Sequence, residues 1–77
     1  MNSMQKDQIR YELVRAIGAL QDAFAYAQHA ELLCREYGAH GERMRVGGLR
    51  QQINSTIDHA VILRQSVREY EDNAEQS

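Results

Sequence analysis

The sequence predicts an all-α protein, an antiparallel hairpin of two long helices. In both halves of the chain, apolar residues recur at alternating steps of three and four, the spacing that lines one face of an α-helix. The segment Gly38-Ala39-His40-Gly41 interrupts this pattern near the middle, and the 77 residues include no proline. A chain of this length forms one domain, which we expect to span residues 1–77.

The first helix is predicted over about residues 4–37. It ends before Gly38, which suits the left-handed conformation just past a helix C-terminus because glycine has no Cβ to clash there. A turn is predicted over residues 38–41. The apolar stripe of this helix comprises Ile9, Leu13, Ala16, Leu20, Ala23, Ala27, Ala30, Cys34 and Tyr37.

The second helix is predicted over about residues 42–72, followed by a frayed acidic tail at 73–77. Gly47 and Gly48 interrupt its pattern and allow two interpretations. The helix begins late, after a weak first turn or a longer loop, or the glycines permit a close backbone contact. The apolar stripe comprises Val46, Leu49, Ile53, Thr56, Ala60, Leu63, Val67, Tyr70 and Ala74.

Folding the chain at residues 39–40 brings small side chains against larger ones, an alternation that allows dense packing. The predicted layers pair Ala16 with Leu63, Leu20 with Ala60, Ala23 with Thr56, Ala27 with Ile53 and Ala30 with Leu49. This size complementarity supports the hairpin independently of the periodicity.

One flank beside the predicted core is apolar, and contiguous exposed apolar surface marks an interface. We expect two hairpins to pack through this flank as a homodimer that forms a four-helix bundle. A larger ring, or a different protein on the same flank, is the alternative. The predicted self-association residues are Val14, Ile17, Phe24, Ile57 and Val61.

The opposite flank and the arginines near the turn form the candidate surface for a partner or ligand. Tyrosine and arginine are enriched in binding hot spots because they combine large contact area with directional hydrogen bonds. For Tyr26, ordinary packing within a bundle is the alternative. The candidate residues are Tyr26, Leu33, Arg43, Arg45, Arg50, Gln52 and His59.

The sequence predicts no catalytic site, metal site or cofactor. In a hairpin, His29, His40 and His59 lie too far apart to share one metal ion. Cys34 is the single cysteine and is interpreted as a small apolar residue of the core. A two-helix surface offers no water-excluding pocket, so we do not expect an enzyme.

Charge and hydropathy narrow the class of partner. The formal net charge of -2 makes a nucleic acid an unlikely partner, since such binding rests on an excess of lysine and arginine. No run of apolar residues is long enough to cross a membrane. Residues 1–10 are polar and lack the apolar core of a signal peptide, so we expect a cytoplasmic protein.

We therefore expect a small non-catalytic interaction protein, an inhibitor, anti-activator or chaperone/adaptor, which binds a protein partner as a homo-oligomer. In shape alone it resembles needle-subunit chaperones of bacterial secretion systems and small phage-encoded antagonists, with which it shares no residue motif. The alternative is an oligomer that sequesters a small anionic ligand such as a nucleotide. Arg43, Arg45 and Arg50, with nearby Tyr37, would bind this ligand.

Overall fold

The computed structural model describes the backbone of residues 2–76 and the side chains of residues 2–67. It contains two α-helices, α1 (Ser3–Glu36) and α2 (His40–Gln76), which pack against each other as a rod measuring 59 × 16 × 11 Å. No strand occurs within residues 2–76. The prediction of an all-α, two-helix hairpin is confirmed.

Helix α1 begins with a reciprocal cap at Asn2. The Gln5 backbone N–H donates to the Asn2 side chain at 2.8 Å, and the Asn2 backbone N–H donates to the Gln5 side chain at 3.0 Å. These two bonds satisfy donors that a helix start leaves without partners. The cap places the helix start at Ser3, one residue before the predicted position.

The turn comprises residues 37–39 and is shorter than the predicted turn at 38–41. Gly38 has a φ of +72°, as expected for a glycine beyond a helix C-terminus. The Ala39 N–H donates to the Cys34 carbonyl at 2.8 Å, and the Arg43 N–H donates to the Ala39 carbonyl at 2.9 Å. Helix α2 therefore starts at His40, directly after the turn.

Gly47 and Gly48 lie inside α2, which is continuous through both residues. A Cβ atom on Gly47 would lie 3.4 Å from Glu31 Oε1, whereas one on Gly48 would meet no atom within 4 Å. The neighbour of Gly47 is the end of a flexible side chain at ordinary contact distance, so no close backbone contact requires either glycine. At its other end α2 continues to Gln76, so residues 73–76 of the predicted tail are helical.

We expect Gly48→Ala to stabilise the hairpin by about 0.5–1 kcal/mol, because alanine loses less backbone entropy in a helix and meets no obstacle here. Urea unfolding followed by circular dichroism measures this change. Gly38→Ala is the control and should destabilise by about 1 kcal/mol, because its φ of +72° disfavours a Cβ. Stabilisation by both substitutions would contradict the assigned turn.

The seam, meaning the residues of each helix that pack against the other, is rotated from the predicted stripe. Ile17, Ala27 and Ala60 are buried, and Ile17 is only 7% exposed. Burial recurs mostly at steps of four and three. The buried or partly buried residues in this register include Lys6, Leu13, Ile17, Leu20, Phe24, Ala27, Glu31 and Cys34 on α1, and Arg43, Val46, Arg50, Ile53, Ile57, Ala60 and Val67 on α2.

The predicted core is therefore wrong in part. Leu13, Leu20, Ala27 and Cys34 lie in the seam as predicted, and Ala23 and Ala30 are partly buried at its edge, whereas the other alternating positions are exposed. Exposed residues from the predicted stripes are Ile9, Ala16, Tyr37, Leu49, Thr56 and Leu63, and the side chains of Tyr70 and Ala74 lie outside the described residues. Ile17 and Phe24 replace Ala16 and Ala23, which buries more apolar surface per layer.

Within residues 2–76, neither helix has an apolar stretch long enough to cross a bilayer.

Candidate functional site

The rotation of the seam changes the predicted self-association face. Ile17 is buried between the helices, and Phe24, Ile57 and Val61 are partly buried. Val14 is 50% exposed. Ile17, Phe24 and Ile57 are thus corrected from surface positions to seam positions, because the hairpin uses these large side chains for its own core. The five residues do not form an open surface.

The same rotation leaves an apolar surface on the other flank, which we call the alanine–leucine face. On α1 it carries three alanines at seven-residue spacing, and on α2 it carries three residues at the same spacing. Leu49 and Leu63 are 52% and 43% exposed. The face consists of Ala16, Ala23, Ala30, Leu49, Thr56 and Leu63.

Four of the predicted partner residues lie at the outer edges of the alanine–leucine face. Tyr26 and Leu33 each follow an alanine of the face by three residues, and Gln52 and His59 follow Leu49 and Thr56 by three. Residues three apart are neighbours on a helix surface. Tyr26, Gln52 and His59 are exposed, and Leu33 is partly buried. The structure therefore places these residues beside the alanine–leucine face.

An ion pair crosses the seam near the turn. The Arg50 Nε–H donates to Glu31 Oε2 at 2.7 Å, and the two side chains are 29% and 27% exposed. Gly47 leaves room for the Glu31 carboxylate, whose Oε1 lies close to the glycine. Because the pair joins residues in facing layers, we expect it to favour one position of each helix along the other.

Sequence reasoning missed this pair, because it placed Ala30 and Leu49 in the corresponding layer. The available signal was the charge pattern. Glu31 follows Ile17 and Phe24 at seven-residue spacing, and Arg50 precedes Ile57 by the same step. Opposite charges in register with apolar seam residues indicate a cross-helix pair.

The three arginines predicted to bind an anion do not form one site. Arg43 and Arg50 line an open groove of about 520 Å³ with His40, Gly47 and Gly48, but Glu31 also lines it. Arg45 is exposed and is not among the residues lining this groove. Residues two apart on a helix project about 200° from each other, so Arg43 and Arg45 point apart.

A double-mutant cycle on Glu31→Gln and Arg50→Gln should give a coupling free energy of about 1 kcal/mol, because the pair is short and mostly shielded from solvent. Urea unfolding at low and high salt measures it. The matched control is Glu12 with Arg15, which lie 3.7 Å apart and are 68% and 65% exposed. Its coupling should be within about 0.5 kcal/mol of zero. Equal couplings would contradict the proposed register role.

The histidines lie apart and are all exposed at positions 29, 40 and 59. Among the described residues, no three histidine, cysteine, aspartate or glutamate side chains are grouped to hold a metal ion. Cys34 is a free thiol, partly buried in the seam.

The chain was compared with protein families, curated proteins and solved structures, and none of them matches it.

Proposed function

We propose that this protein is a small non-catalytic interaction protein, an inhibitor, anti-activator or chaperone/adaptor, which binds a protein partner as a homo-oligomer. The observation that supports this proposal is that more large apolar side chains are exposed than are buried. Within residues 2–67, three apolar side chains are buried in the seam, while eleven large apolar or aromatic side chains are exposed. Leu49 and Leu63 among them belong to the alanine–leucine face, and contiguous apolar surface in a small chain is typical of protein interfaces.

The partner surface in this proposal comprises Tyr26 on α1 and Gln52 and His59 on α2, at the two outer edges of the alanine–leucine face. Tyr26 is 75% exposed, so its ring is available without any rearrangement of the hairpin. A tyrosine ring provides apolar contact area and its hydroxyl provides a directional hydrogen bond, a combination that is frequent in hot spots. The absence of a disulfide partner for Cys34 fits the proposed cytoplasmic site of action.

Affinity purification of the tagged full chain from its native cells, followed by mass spectrometry, tests this function. We expect a stoichiometric partner that is retained by Tyr11→Ala and lost with Tyr26→Ala. Tyr11 is a suitable control because its ring is also exposed, at a separate position of α1. If no stoichiometric partner is recovered, or if both variants lose it equally, the proposal is wrong.

A second candidate function is sequestration of a small anionic ligand such as a nucleotide. The groove that Arg43, Arg50 and His40 line near the turn favours it. The Glu31 carboxylate opposes it, because that group already binds Arg50 and adds negative charge to the groove. Protein binding is therefore the first proposal.

Thermal unfolding against a panel of nucleotides separates the two functions. A ligand at a hundredfold excess over its Kd adds about 2.7 kcal/mol of stability. Arg43→Gln should abolish this stabilisation and Arg45→Gln should preserve it, since only Arg43 lines the groove. Unchanged melting curves for the original protein across the panel would exclude nucleotides as the ligand.

A further inference from the structure

The alanine–leucine face is an unpartnered surface that runs along the middle of both helices. Its six positions carry no charge, and Leu49 and Leu63 remain about half exposed. On the opposite flank polar residues interrupt the apolar surface. It presents the exposed residues Gln21, Gln28 and Asn54 beside Val14 and the partly buried Val61.

The surface area of the chain indicates how much of it a partner must cover. The accessible area is 5968 Å², whereas a compact monomer of 8.9 kDa exposes about 4,800 Å². The excess is about 1,200 Å², and a standard interface buries about 800 Å² on each partner. One contact of ordinary size on this face would remove most of the excess.

The pattern of side-chain sizes on the face fits a second copy of the same chain. Small residues occupy it on α1 and mostly larger ones on α2, at equal steps of seven. A twofold axis parallel to the helices lays α1 of one copy over α2 of the other. In that arrangement the alanines of each copy meet the leucines of its partner at the same height, so the packing is self-complementary.

We propose that a second copy of this chain docks on the alanine–leucine face. The inference deepens the proposed function and rests on its self-association component. It moves the interface to the flank opposite Val14, because the hairpin's own seam has taken up Ile17, Phe24 and Ile57. Each hairpin then buries its half-exposed leucines in a four-helix bundle, while Tyr26 and His59 flank the contact.

Sedimentation equilibrium of the full chain, with Leu63→Asp and Val14→Asp, tests the face. The two positions are 43% and 50% exposed, so both substitutions replace a half-exposed aliphatic residue by the same charge. We expect the original protein to sediment as a dimer and Leu63→Asp to weaken dimerisation at least about tenfold, because the interface would bury an unpaired carboxylate. Val14→Asp should change it less than about threefold. A monomeric original protein, or a larger effect at Val14, would overturn the proposal.

A second measurement avoids disruptive substitutions. In a Cys34→Ala background, single cysteines replace Thr56 on the alanine–leucine face and Asn54 on the opposite flank, both of which are exposed. As the protein concentration rises, maleimide labelling should slow at position 56 and stay constant at position 54. Equal rates at both positions at all concentrations would contradict the face. If labelling shows protection at position 56 but affinity purification recovers no other protein partner, then the proposed partner binding is wrong and the dimer contact is not contradicted.

Discussion

Ile17→Ala is expected to remove most of the stability of the hairpin at 25 °C. Ile17 is 7% exposed in the seam, and truncation of a buried isoleucine costs about 2–5 kcal/mol. A chain of this size gains only about 3–5 kcal/mol from its core, so this single loss removes most of the stability. Helical circular dichroism as a function of urea concentration measures the change in the free energy of unfolding.

The matched control for this prediction is Ile62→Ala. Ile62 is 62% exposed on α2, so the same atoms are removed from a position that faces solvent. The expected change is within about 0.5 kcal/mol of zero. A loss of stability at Ile62 as large as that at Ile17 would show that the seam is misplaced, and a negligible loss at Ile17 would show the same.

Ala60→Asp is expected to abolish the folded hairpin. Ala60 is buried in the seam of α2, and the short aspartate side chain cannot carry its carboxylate out to water. Ala25→Asp is the control, because Ala25 is exposed on α1 and the substitution carries the same loss of helix propensity, about 0.7 kcal/mol or less. Thermal unfolding by circular dichroism compares the two. Similar melting temperatures for both variants would contradict the burial of Ala60.

The two helices were predictable from the sequence because the period of their apolar residues is that of an α-helix. Their boundaries depended on local chemistry. Gly38 marks the end of α1 to within one residue, since α1 ends at Glu36 and Gly38 has a φ of +72°. The Asn2 cap, by contrast, depends on two reciprocal hydrogen bonds with Gln5 that the apolar pattern does not report.

The rotation of the seam was harder to predict, because some seven-residue repeats carry an apolar residue at a third position, as at Ile17, Phe24 and Ile57. Leu20 and Ala27 belong to the core in either arrangement. The choice lay between the alanines of the alanine–leucine face and a set of large residues interspersed with charges. The number of apolar residues alone favours a core that contains the alanines. Packing favours a seam that contains Ile17 and Phe24. The hydrogen bond between Glu31 and Arg50 lowers the energetic penalty of placing these two charged residues in the seam.

The candidate site was predictable to a similar extent. Tyr26 and His59 lie on the surface where sequence analysis placed them, because their positions are far from both possible seams. The self-association residues depended on the rotation itself, so an error of one residue in the core moved them from the surface to the interior. A periodicity alone cannot separate the core of a hairpin from the contact between two hairpins.

The short turn at Gly38 has a kinetic consequence. Glu31 and Arg50 are 19 residues apart in the chain, so they close a small loop at low entropic cost. Ile17 meets α2 much farther from the turn and must close a longer loop. We therefore expect the contacts between the helices to form first near the turn and then progressively farther from it. Substitutions at Ile17 would then mainly accelerate unfolding, whereas those at Glu31 would slow folding.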